Sequence, residues 1–86
     1  MRYTKWDDIS FISRSKNRAN LLNALKEPKT PTQLSKELSL NIGYISNLII
    51  DLLKRKLIVC LTPNEKRYRL YKISKKGENI IKSINN

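Results

Sequence analysis

Apolar residues recur at helical spacing along most of the chain, and the period changes once, near Leu57. Trp6, Ile9 and Ile12 lie about one turn apart and predict a first helix beginning near Trp6 or Asp7, with no clear stop signal. Ser15 is placed to cap a second helix in which Ala19, Leu22 and Leu25 share a face that Leu21 widens, and Pro28 ends it. Thr30-Pro31-Thr32-Gln33 combines three helix-start signals: a Thr N-cap, a proline at the first helical position and a glutamine three residues after the cap to close a capping box. Leu34 and Leu38 form the buried face of that helix. Ser39-Leu40-Asn41 breaks the pattern, and Asn41 caps a fourth helix running to about Lys56, with Ile45, Leu48, Ile49, Leu52 and Leu53 inside.

Residues 57–61 are a short β-branched-rich run, and 68–73 alternate, with Tyr68 and Leu70, joined by Lys72, on one side and Arg69, Tyr71 and Ile73 on the other. Between them Thr62-Pro63-Asn64-Glu65-Lys66-Arg67 is turn-rich and charged, so a hairpin with its tip in water is expected. Ser74 caps a last helix through Ile80, Ile81 and Ile84, in which Gly77 is an early weak point. The predicted class is mainly α with a small β-hairpin, in one domain over residues 1–86. A three-residue joint between two short helices, each apolar on one side, is the geometry of a helix-turn-helix, which presents its second helix outward. The hairpin adds a wing.

Charge sharpens this picture. Lys and Arg number 18 against 7 acids, a formal charge of +11 with no histidine to change it near neutral pH. One cysteine and no histidine exclude a disulfide framework, a zinc site and every catalytic arrangement built on imidazole, so no metal and no cofactor is expected. The seven acids are scattered and no glycine-rich phosphate cradle is present, which argues against an enzyme. The longest apolar runs fall far below the roughly 20 residues that cross a bilayer, so no membrane partner is expected. Asp7 and Asp8 stand where a secretory signal would place its apolar segment, which makes the cytoplasm, in association with the nucleoid, the expected location. Cys60, in an apolar strand run, is read as a buried inert thiol.

Residues 31–47 resemble the DNA-binding segment of winged helix-turn-helix regulators, and the chain looks like the small archaeal members related to the MarR and ArsR groups. The likeness covers roughly residues 15–84. Its apolar template is met by Leu34, Leu38, Leu40, Ile45 and Leu48, with small Ser35 where the two helices approach. Ser39 replaces the usual turn glycine, which makes a left-handed turn residue less comfortable. Leu53-Lys54-Arg55-Lys56-Leu57-Ile58 is similar to the family's passage from recognition helix to wing, and residues 69–77 to its second wing strand and following helix. The resemblance implies a non-enzymatic DNA-binding transcription regulator. ArsR-like metal sensing needs several ligands that this chain lacks.

From Lys54 to Lys76 nine basic residues face the single acid Glu65, and this density lies on the hairpin expected beside the recognition helix. Phosphate neutralisation with counterion release supplies most sequence-independent affinity for DNA. The candidate binding residues are Thr32 and Gln33 at the start of the third helix, Asn41, Gly43, Tyr44, Ser46, Asn47 and Lys54 on the fourth, and Lys66, Arg67 and Arg69 on the wing. Asn pairs bidentately with adenine, Ser with most bases, and Tyr with phosphate or a thymine methyl, while Gly43 lets the backbone come close. Each also has a plain alternative. Asn47 and Ser46 would suit ordinary helix surface, Thr32 and Gln33 are explained by capping, Ile50 would suit the core or a dimer contact, and a Lys-rich surface serves solubility. Lys16 and Arg18 are weaker candidates.

The expected function is sequence-specific binding of double-stranded DNA by a homodimer. Dimerisation is inferred from the apolar faces of the first and last helices, carrying Trp6, Ile9, Ile12, Ile80, Ile81 and Ile84. The alternatives are a chromatin protein that coats DNA with little sequence preference, or a winged helix used for protein assembly or RNA binding.

Overall fold

The computed structural model describes residues 3–85. Four helices, α1 (Lys5–Ser13), α2 (Lys16–Ala24), α3 (Pro31–Leu38) and α4 (Ile42–Lys54), precede the strands β1 (Ile58–Cys60) and β2 (Tyr71–Ile73), and α5 (Lys75–Asn85) follows. This is a winged helix-turn-helix: five helices with a two-stranded antiparallel hairpin. The core is continuous, with Leu21, Leu22, Leu25, Leu34, Ile45, Leu52 and Leu57 fully buried.

Local chemistry accounts for the boundaries. Thr4 opens α1 through a capping box with Asp7, starting the helix earlier than the Trp6 spacing suggests. The backbone N–H of Thr4, and then its hydroxyl, hold the Asp7 carboxyl below the usual range. Ser15 accepts from the Arg18 N–H, and α2 stops at Ala24, short of Pro28, because 25–27 form a turn. At Thr30 both halves of the predicted capping box form, with Gln33 Oε1 accepting the Thr30 N–H at 2.8 Å.

Both ends of the helix-turn-helix use left-handed residues that are not glycine. Ser39 has φ 56°, and the N–H groups of Ser39 and Leu40 both reach the Ser35 carbonyl. The Ser35 hydroxyl in turn donates to the Leu40 carbonyl at 2.5 Å, so the small residue expected at the helix crossing also ties the turn. Lys56 has φ 61° and ends α4 two residues before the sequence pattern suggests. The Leu57 N–H reaches Leu52 O and the Lys56 N–H reaches Leu53 O, a Schellman motif in which Leu52 and Leu57 are both fully buried.

The hairpin is shorter than expected. Ile58 pairs with Ile73, Val59 with Lys72 and Cys60 with Tyr71. Tyr71 and Ile73 are buried, as the alternation predicts, but Tyr68 and Arg69 lie outside the strand: Tyr68 has φ 57° and is 79% exposed. Beyond the strands the Leu70 carbonyl accepts the Leu61 N–H at 2.8 Å, and the Thr62 hydroxyl accepts the Leu70 N–H at 3.0 Å. Lys29 exchanges two backbone hydrogen bonds with Tyr71, at 2.9 and 3.0 Å, which fastens the wing to the segment entering α3. Cys60 is half-buried rather than buried.

The faces assigned to dimerisation are largely used inside the chain. The helix α1 packs on α5, and Ile12, Ile80 and Ile81 are buried there, with Ile9 and Ile84 partly so. A domain this small needs those side chains for its own core. Trp6 alone among them stands clear, 76% exposed, and closes no part of the core.

Candidate nucleic-acid interface

The helix α4 runs between two neighbours that define its free face. Ile45, Leu48, Ile49 and Leu52 are buried, which turns Gly43, Asn47, Ile50 and Lys54 to water, since positions four, seven and eleven residues apart share one stripe. One edge of that stripe meets α2, where the Tyr44 hydroxyl accepts from Asn17 Nδ2 at 3.3 Å. On the other side Ile42, the first residue of α4, meets the wing. Thr32, Ile42, Lys66, Arg67, Tyr68 and Arg69 line one open groove of about 480 Å³, so the starts of α3 and α4 and the wing tip come together.

All eleven candidate residues are exposed. Several carry a structural duty as well. Asn41 caps α4 by accepting the Gly43 N–H at 2.7 Å, Ser46 donates to the Ile42 carbonyl at 3.0 Å, and Gln33 is held in its capping box. Arg69 donates from Nε to the Glu65 carbonyl at 2.6 Å, which braces the wing tip and leaves the rest of its guanidinium outward. Thr32, Asn47, Lys54, Lys66 and Arg67 are exposed side chains on the start of α3, the stripe and the wing.

Two of the nine basic residues between 54 and 76 do not belong to this surface. Asp8, fully buried on α1, lies 3.1 Å from Arg55 Nη1 through one oxygen and 3.1 Å from Lys76 Nζ through the other. Its Oδ2 has no hydrogen-bond partner among the described residues, so the Lys76 contact is an ion pair, and Lys76 also donates to the Arg55 carbonyl at 2.8 Å. Arg55 also stacks over the Phe11 ring at 3.8 Å and over Tyr3 at 4.1 Å. Arg18 lies over the Phe11 ring as well, at 3.7 Å, and donates to the Phe11 carbonyl, which removes it as a candidate for DNA. Sequence spacing carries no signal for this cluster, since its members stand 47 and 21 residues apart. The pairing joins α1, the C-terminal cap of α4 and α5.

Among the described residues no group of three or more His, Cys, Asp or Glu is placed to hold a metal ion, and no helix is long and apolar enough to cross a membrane. No family model matches the chain, and no curated protein matches it. Solved structures do. The chain is similar to a cysteine-to-serine mutant of MarR from E. coli complexed with operator DNA, with a TM-score of 0.76 and 24% identity over 90% of this chain and 57% of that one. It is similar to a MarR family transcription regulator with a TM-score of 0.68 and 31% identity, over 80% of this chain and 47% of that one. A mutant of MepR from S. aureus bound to an oligodeoxyribonucleotide gives a TM-score of 0.75 and 17% identity, over 90% of this chain and 59% of that one. The fold is therefore of the MarR winged-helix type, and the chain spans about half the length of the structures it matches.

Proposed function

We propose that the protein binds double-stranded DNA sequence-specifically, as a non-enzymatic transcription regulator of MarR type. The helix α4 enters the major groove, and the wing grips phosphate or the minor groove. The observation that carries the reading is the groove that gathers Thr32, Ile42, Lys66, Arg67 and Arg69 at the start of α4. A rod of helix about 10 to 12 Å across, flanked by cations on the wing side, matches a major groove about 12 Å wide. Solved relatives in fold bound to operator DNA and to an oligodeoxyribonucleotide support the same partner. In this reading residues 1–86 act as one DNA-binding unit in the cytoplasm, and two copies pair through the outer side of α1. The support for pairing is Trp6, a large apolar ring left in water on α1.

Asn47 is the base-reading residue in this proposal, because its amide stands on the free stripe and has no duty in the core. Asn47→Ala should cost about 1 to 3 kcal/mol against the preferred site and leave binding to random duplex nearly intact. Paired titrations of specific and random duplex at one salt concentration measure it. Equal weakening on both would make Asn47 a backbone contact, and no weakening on either would favour a coating or assembly role.

The wing is tested through salt. Replacing Lys66 and Arg67 with Ala should weaken binding to all duplexes alike and flatten the dependence of log K on log salt by about one unit for each phosphate no longer neutralised. An unchanged slope would leave the basic hairpin as a solubilising surface.

A further inference from the structure

Ile50 lies at the centre of the free stripe of α4, three residues after Asn47 and four before Lys54, and it is 50% exposed. Single exposed apolar side chains are common on protein surfaces. This one is unusual in its setting. A β-branched residue gains nothing in helix propensity over the Ala, Lys or Glu that would suit a solvated helix face, and the helix that carries it meets α2 through Tyr44 and the wing groove through Ile42, both in its first turn. Gly43, Asn47, Ile50 and Lys54 include no acid, Asp51 at the edge of the stripe is the one carboxylate of α4, and the wing tip at the start of the helix sets Lys66, Arg67 and Arg69 against Glu65, so this side is net positive and the complementary partner is a polyanion with an apolar point on it. Duplex DNA offers one such point in the major groove, the 5-methyl group of thymine.

We infer that Ile50 is a specificity residue that packs against a thymine methyl in the major groove. The inference rests on the reading of α4 as the groove-reading helix and adds a base to it. Gly43 and Ile50 are about 10 Å apart along the helix axis, so both fit within one crossing of the groove. Asn47, one turn before Ile50, then faces an adjacent base pair, and Lys54, one turn after it, faces the phosphates at the groove edge. The contact is apolar and requires no charge on the base, so it acts on specificity and leaves the salt dependence to the wing.

The experiment uses the full chain. A preferred duplex is selected from a random pool, and each thymine in it is replaced in turn by deoxyuridine, which removes only the methyl group. At one position, or at its symmetry mate in a two-fold site, wild type should bind about fourfold more weakly, the value of one buried methyl-sized group. Ile50→Ala should bind the unmodified site more weakly by at least that factor and show no further weakening on the deoxyuridine duplex, with Ile50→Val between the two. Ala is the better helix former at this exposed site, so thermal unfolding should be unchanged or slightly raised. Indifference of wild type to every deoxyuridine replacement, or equal sensitivity in Ile50→Ala, would overturn the assignment while leaving the DNA-binding reading intact. A change in oligomeric state on Ile50→Ala would overturn it in favour of a contact between copies. Failure of wild type to enrich any site would remove the functional reading itself.

Discussion

Gly77→Ala is expected to destabilise the protein by about 3 kcal/mol or more, although alanine is the better helix former by about 1 kcal/mol. A Cβ on Gly77 would run into the Leu57 carbonyl oxygen and come within 2.7 Å of Ile73 Cγ1. The carbonyl cannot swing aside freely, because it accepts the Ser74 N–H at 3.0 Å and so fixes the start of α5 against the end of α4. Ser74 binds both sides of this junction, donating to the Lys56 carbonyl at 2.8 Å and accepting the Gly77 N–H at 3.0 Å. The glycine is therefore a point of close approach, and the weak point expected from helix propensity becomes the place where α5 meets β1. Urea and thermal unfolding of wild type and Gly77→Ala check this, and for a domain of this size the destabilisation should appear as a fall of roughly 10 to 20 °C in Tm. A gain in stability of the size given by helix propensity would show that the junction is loose.

Helix propensity and close approach pull Gly77 in opposite directions, and only the first can be read along the chain. Signals that act within four residues are legible: the capping box at Thr30, the cap at Ser15, the helical stripe of α4 and the change of period at Leu57 all form where the chain suggests. Contacts between distant segments leave no periodic trace. Asp8 and Arg55 are 47 residues apart, and a carboxylate in the first turn of a helix reads as a surface residue favoured by the helix dipole. Positive φ at Lys56 and Tyr68 is equally hidden, since neither type favours that conformation and only the tertiary frame imposes it. The shortened wing follows from Tyr68, whose left-handed backbone takes residues 68 and 69 out of the ladder, so that β2 begins only at Tyr71. The candidate interface is legible in part. Its polar stripe emerges from helical spacing, whereas the withdrawal of Arg55 and Lys76 from the basic surface is a product of the fold.

Because Arg55 and Lys76 are turned inward, the carboxylate between them carries the second large effect. Asp8→Asn keeps the volume of the side chain and deletes its charge, leaving the Arg55 guanidinium and the Lys76 ammonium facing each other around a fully buried position. Breaking a buried ion pair by removing one partner costs about 3 to 5 kcal/mol, and the lower end is expected because the Lys76 side chain is 41% exposed and its charge is partly screened. Arg55 is the heavier partner. Its side chain is 16% exposed, it donates to Asp8 Oδ1 at 3.1 Å, and it lies over Phe11. The expected asymmetry is measurable by double-mutant cycles from urea midpoints. Asp8→Asn should cost nearly as much in a Lys76→Met background as in wild type, and distinctly less in an Arg55→Met background, where the charge that Asp8 neutralises is already gone. A cost under about 1 kcal/mol for Asp8→Asn in wild type would place the cluster with ordinary surface salt bridges and leave α1 held to α5 by its apolar contacts alone.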